Sequence, residues 1–143
     1  MNDNMYTIFL VEDDETDVEQ IRRTLKKLRV VNPLVRAKDG QEALDMLRGM
    51  DERLRGKIVM LLDIGLPGLS GLEVLQEIKN DKDLTKIPVF MLTSSTFKKD
   101  IDTAHEAHAN GYLVKPVNLE GLIDLLGKLQ AFWAIIEIPD VDR

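Results

Sequence analysis

The chain's 143 residues spell an α/β protein with a parallel sheet, and two observations predict it. Apolar runs of strand length alternate with segments whose apolar residues recur every three or four positions, the pattern of βαβ units. Two of the runs end in acids: Asp13 and Asp14 follow Ile8-Phe9-Leu10-Val11, and Asp63 follows Ile58-Val59-Met60-Leu61-Leu62. A later strand-like segment closes on Lys115-Pro116. In an open α/β sheet, ligands bind outside the carboxyl ends of the strands, which is where these groups would meet.

The elements follow in order. Strands are predicted at about Tyr6–Val11, Leu34–Lys38, Lys57–Asp63, Pro88–Thr93 and Gly111–Val114. Val18, Ile21, Leu25 and Leu28 form the stripe of a first helix, Ala43, Leu44 and Leu47 mark a second, and Leu72, Leu75 and Ile78 a third. A fourth, around Phe97 to His108, has only a weak stripe of Ile101, Ala104 and His108, and so should be loosely held. The last runs from about Leu119 to Ile136, with Leu122, Ile123, Leu126, Leu129, Phe132 and Trp133, longer and more apolar at its end than covering a sheet requires. Gly40, Gly71, Asn80 and Gly111 punctuate the boundaries, and Pro33 reads as a turn. Repeats and low-complexity segments are absent from the sequence.

Size and composition suit one domain over 1–143, large enough to bury a core. With 44% hydrophobic and 31% charged residues, the chain is expected to be globular. Its net charge of −6 argues against nucleic acid, whose phosphates call for clustered Lys and Arg. Zero cysteines remove disulfides and thiolate metal sites, which fits a cytoplasmic location. The amino terminus, Met1-Asn2-Asp3-Asn4, lacks the pattern of a signal peptide. Nor does any stretch approach the roughly 20 apolar residues of a membrane helix.

Carboxylates gathered at one sheet edge repel one another and stay ionised at neutral pH only with a cation among them. Oxygen ligands with water favour Mg²⁺.

The order Val11-Glu12-Asp13-Asp14, Leu61-Leu62-Asp63-Ile64-Gly65-Leu66-Pro67 with Gly71, Met91-Leu92-Thr93-Ser94 and Gly111-Tyr112-Leu113-Val114-Lys115-Pro116 resembles the receiver domain of two-component response regulators, over about Tyr6 to Leu129. The resemblance implies a flavodoxin-like, doubly wound five-stranded sheet of order 2-1-3-4-5 with five helices. It implies that a histidine kinase passes its phosphoryl group to Asp63. A carboxylate is a plausible nucleophile toward phosphorus, and such transfer depends on positioning and neutralising charge. Mg²⁺ would be held by Asp14 and Asp63 with the backbone carbonyl of Gly65, and Asp13 would act largely through water. Lys115 would bind a phosphoryl oxygen as a compact point charge, and Thr93 and Ser94 would take another. The Lys115-Pro116 bond resembles the family's cis peptide. On phosphorylation Thr93 would move toward the phosphate and Tyr112 would turn inward, driven by an added charge of roughly −1.5 to −2. Gly65 departs from the larger side chain usual at its position and Ser95 is small and polar, so neither offers bulk to block a water attacking in line.

Other features carry less. Asp13 and Asp14 could merely cap the following helix. His105 and His108 are one residue short of the His-Glu-x-x-His spacing and lack a third ligand, so a solvated helix face is expected. Arg22-Arg23 and Lys26-Lys27 are either a solvent face or a docking surface for a kinase or phosphotransfer domain. The apolar extension at about 130–143 suggests an interface. Ala131-Phe132-Trp133 leading to Ile138-Pro139 resembles the end of stand-alone response regulators associated with bacterial phytochromes. That implies a homodimer through Phe132, Trp133, Ile136 and Ile138, the alternative being a tail folded back on its own domain.

Two rival functions remain. An aspartyl-phosphate phosphatase of the haloacid dehalogenase type also uses a strand-end aspartate, but Asp63-Ile64-Gly65 lacks that class's second acid. A degenerate receiver serving only as a binding module is disfavoured by the full set Asp13, Asp14, Asp63, Thr93 and Lys115. The sequence does not name the kinase or the downstream protein.

Overall fold

The computed structural model describes residues 6–94, 102 and 108–133, with the backbone alone at 126 and 128–133. The order along the chain is β1 (Thr7–Val11), α1 (Glu15–Lys27), β2 (Leu34–Ala37), α2 (Gly40–Gly49), α3 (Glu52–Arg55), β3 (Ile58–Asp63), α4 (Gly71–Asn80), β4 (Val89–Thr93), β5 (Gly111–Val114) and α5 (Leu119–Trp133). All strand pairs are parallel, in the order β2-β1-β3-β4-β5. This is the doubly wound sheet that the sequence predicts.

The central strands β1, β3 and β4 are almost wholly apolar because both faces are covered, whereas β5 at the edge leaves Tyr112 and Val114 exposed. Phe9, Val11, Met60, Leu62, Val89 and Met91 pack against α2 and α4, chiefly on Ala43, Leu44, Leu47, Val74, Leu75 and Ile78. The alternate residues Ile8, Leu10, Val59, Leu61, Phe90 and Leu92 pack on Val18, Ile21 and Leu25 of α1 and on Leu122 and Leu125 of α5. In α4, Val74 takes the buried position, while Leu72 is only partly buried.

Each helix start is fixed locally. Asp14 caps α1, Asp39 caps α2, Asp51 caps α3, and Ser70 with Glu73 forms a capping box on α4. The single turn α3 was not predicted, and its Leu54 is exposed, so it offers no stripe. The predicted helix at Phe97–His108 falls largely outside the described residues. His108 itself stands at φ 68°, a left-handed turn before β5, so no helix continues through it. Beyond Trp133 the predicted helix and tail, including Ile136 and Ile138, lie outside the described residues. The side chains of Phe132 and Trp133 do as well.

Candidate functional site

The parallel register sets the centre of the site. Val11 pairs with Leu62, so the next residues on the two strands, Glu12 and Asp63, stand side by side at the sheet's carboxyl edge. Both are buried, Glu12 completely. On the far side, Leu92 pairs with Asp63 and the buried Thr93 follows it at the end of β4. Lys115 comes one residue after β5, and its backbone N–H donates to the Thr93 carbonyl at 2.8 Å. The Lys115-Pro116 bond is cis.

The Lys115 ammonium is surrounded by acids. Its Nζ lies 2.6 Å from Glu12 Oε1, 2.9 Å from Asp17 Oδ2 and 3.2 Å from Asp63 Oδ2. Burial alone would depress this ammonium, but hydrogen bonds to Glu12 and Asp17 and the charge of Asp63 push it above the ordinary lysine range. Burial lifts the Glu12 carboxyl to about 7, with Lys115 pulling it down and Asp63 pushing it up. Glu12 Oε1 is fully buried and its contact there is the Lys115 ammonium.

Glu12, Asp13 and Asp63 offer carboxylate oxygens within 4.8 Å of one another. Three converging acids that share one ammonium keep an excess of negative charge, and oxygen ligands of this kind suit a hard divalent cation. The carboxylates that converge differ from the expected set, with Glu12 and not Asp14 beside Asp13 and Asp63. Asp14 is exposed, and its Oδ1 accepts from the N–H groups of Thr16 at 2.8 Å and Asp17 at 3.1 Å. It has turned away to cap α1, and Glu12 takes the place beside Asp63. The reason is register: counting back from the helix makes Asp14 the cap, whereas counting along the strand makes Glu12 the edge residue.

Backbone packing holds Asp63. Its Oδ1 accepts from the Gly65 N–H at 3.1 Å. Gly71 starts α4 directly against the Asp63 carbonyl, leaving no room for a Cβ, and its N–H donates to the Ile64 carbonyl at 3.1 Å. Gly68, at φ 70°, makes the turn between them. From the other side, the Val117 carbonyl accepts from Gln20 and, at 3.4 Å, from Thr24, which ties the segment after Lys115 to α1.

Residues 8–127 match the family model described as the response regulator receiver domain. The chain belongs to the response regulator receiver family. It is 37% identical over 128 residues to the response regulator Rcp1 of Synechocystis sp., covering 88% of this chain and 87% of Rcp1. Among solved structures, the bacteriophytochrome response regulator AtBRR is 39% identical with a TM-score of 0.78, over 93% of this chain and 98% of that one. The phosphorylated cyanobacterial phytochrome response regulator RcpA is 36% identical with a TM-score of 0.71, over 91% and 94%. An Mn²⁺-bound form of response regulator Rcp1 is 34% identical with a TM-score of 0.70, over 95% and 96%.

Within this receiver fold the remaining predicted residues divide by exposure. Thr93 is buried at the edge, whereas Ser94 and Gly65 are exposed. A Cβ added at Gly65 would meet only Asp63 Oδ1, at 3.8 Å. Tyr112 points outward from β5 and is 39% exposed. His105 and Ser95 lie outside the described residues. Three contacting residues carry no marked role in the sequence motifs: Glu12 and Asp17, which meet Lys115, and Arg36, which donates to the Glu12 and Asp13 carbonyls. The strand register was the signal for Glu12. Nothing in the sequence marked the other two.

Among the described residues, no helix is long and apolar enough to cross a membrane.

Proposed function

We propose that the protein is a phospho-acceptor response regulator in which Asp63 receives a phosphoryl group from a histidine kinase. The observation that carries this is Lys115: one ammonium reaches both Asp63 and Glu12 at the edge where Thr93 ends the neighbouring strand. A carboxylate oxygen of Asp63 forms the new bond to phosphorus as the bond to the kinase imidazole nitrogen breaks. Lys115 and the Thr93 hydroxyl receive the phosphoryl oxygens, with the exposed Ser94 beside them.

Glu12, Asp13 and Asp63, with the Gly65 carbonyl, would hold a divalent cation, Mg²⁺ under cellular conditions. When bound, such a cation supplies positive charge against the oxygens of the transferred group. Gly65 leaves the approach to Asp63 open, which favours hydrolysis and a short-lived phosphoryl group. The chain acts as a phospho-acceptor that signals through protein contacts, with Thr93 and Tyr112 as its switch. A cytoplasmic setting fits its lack of cysteine.

The likenesses to the bacteriophytochrome response regulator AtBRR and the cyanobacterial phytochrome response regulator RcpA support a bacterial phytochrome as the kinase. A homodimer through Phe132, Trp133, Ile136 and Ile138 rests on the apolar run of the sequence there, which calls for a covering partner. Sedimentation of the full chain, and of one ending at Gln130, tests the dimer: the first should be dimeric at micromolar concentration and the second monomeric. The function itself is tested by intact mass after incubation with Mg²⁺ and a small phosphodonor. A gain of one phosphoryl group supports it; an unchanged mass makes the chain a binding module.

A further inference from the structure

Arg36 reaches from β2 across the sheet edge to the segment that follows β1. Its Nε donates to the Glu12 carbonyl at 2.9 Å, and one terminal nitrogen donates to the Asp13 carbonyl at 3.3 Å. The other terminal nitrogen pairs with Glu15 Oε1 at 2.7 Å. The side chain is only 13% exposed, while that of Glu15 is 76% exposed. An ion pair to so exposed a partner contributes little. The two carbonyl bonds are therefore the consequential ones.

A carbonyl held in place fixes the plane of its peptide, and with it the direction of the side chains on either side. Here the two held carbonyls belong to the residues that bring carboxylates to within 4.8 Å of Asp63. We infer that Arg36 is a positioning residue for the cation site, holding the Glu12–Asp13 backbone so that both carboxylates converge on Asp63. This rests on the reading that Glu12, Asp13 and Asp63 receive a divalent cation.

Charge and positioning predict opposite signs. A guanidinium near a cation site opposes the cation, so if Arg36 acted only by its charge, removing it would tighten binding. If it acts by holding the backbone, removing it weakens binding. Lysine separates the two, because it keeps the charge but lacks the planar fork that serves several acceptors at once.

The experiment is Mn²⁺ titration of the full chain by calorimetry, for wild type, Arg36→Lys, Arg36→Ala, Glu15→Ala and Asp13→Asn, with each metal-free protein also melted. Wild type should bind one Mn²⁺, and Arg36→Lys should bind it roughly tenfold more weakly, as loss of a group that orients ligands does. Glu15→Ala should stay within about twofold, as an exposed pair implies. Mn²⁺ affinity in Arg36→Lys equal to or above wild type overturns the inference, even if Arg36→Ala fails to fold. If wild type binds no Mn²⁺, or Asp13→Asn binds it unchanged, the cation reading itself falls and this inference with it.

Discussion

Glu12 and Asp63 are neighbours in register, two buried carboxylates at the ends of β1 and β3 that share the Lys115 ammonium. One cation between two such acids leaves an excess of negative charge. The fold relieves it by lifting the Glu12 carboxyl from 4.5 to about 7, chiefly through burial.

A pH dependence follows. An acid raised on folding makes the folded state bind more protons than the unfolded state between those two values. Its contribution is full below about 4.5 and is lost as pH rises through about 7. Denaturant unfolding in the presence of a chelator should therefore show wild type losing stability across that window relative to Glu12→Gln. The size should be about 3 kcal/mol, on the scale of 1.36 kcal/mol per unit. Parallel curves for the two proteins would contradict the burial argument.

Asp13 and Asp14 should separate cleanly. Asp14→Ala removes a helix cap and should cost about 1 kcal/mol of stability, with Mg²⁺-dependent phosphorylation retained. Asp13→Asn should keep the fold and raise the Mg²⁺ concentration needed for half-maximal phosphorylation. Paired melting curves and phosphorylation assays read both effects. The reverse pattern would restore Asp14 as the ligand.

Gly71 and Gly49 make a matched pair. A methyl at Gly71 would run into the Asp63 carbonyl, whereas one at Gly49 meets nothing within 4 Å. Gly71→Ala should destabilise by about 1–3 kcal/mol through overpacking and slow phosphorylation by displacing Asp63. Gly49→Ala, at the last helical residue of α2, should be stabilising by about 0.4–1 kcal/mol, because alanine leaves the unfolded chain less freedom to lose. Chemical denaturation checks the pair, and equal effects would show that the contact at Asp63 is not tight.

Lys115 should couple the chemistry to the switch, since its side chain reaches Asp63 and its backbone bonds Thr93. Phosphorylating wild type should change amide exchange around Thr93 and Tyr112, and Lys115→Ala should lose most of that change while remaining folded. Equal changes in both proteins would assign the switch to another contact.

The sheet was legible because its central strands, covered on both faces, are short continuous apolar runs bounded by polar residues. All five lie within a residue of their predicted bounds. Asp63, Lys115 and Thr93 were legible because each ends or follows such a run. Glu12 was not, because a charged residue after an apolar run looks like the start of a loop, and only the pairing of Val11 with Leu62 puts it beside Asp63. Asp17 and Arg36 contact the site from a helix face and from a neighbouring strand, relations that no local spacing encodes. The turn α3 carries a cap at Asp51 but no buried residue, so periodicity could not reveal it.

The central claim is that Asp63 is the phosphoryl acceptor, and peptide mass mapping tests it most directly. Wild type and Asp63→Asn are each incubated with a small phosphodonor, with and without Mg²⁺, then digested. The result expected is one phosphoryl group on the peptide containing Asp63, dependent on Mg²⁺ and absent from the variant. A label on another residue, or robust labelling of Asp63→Asn, would contradict it.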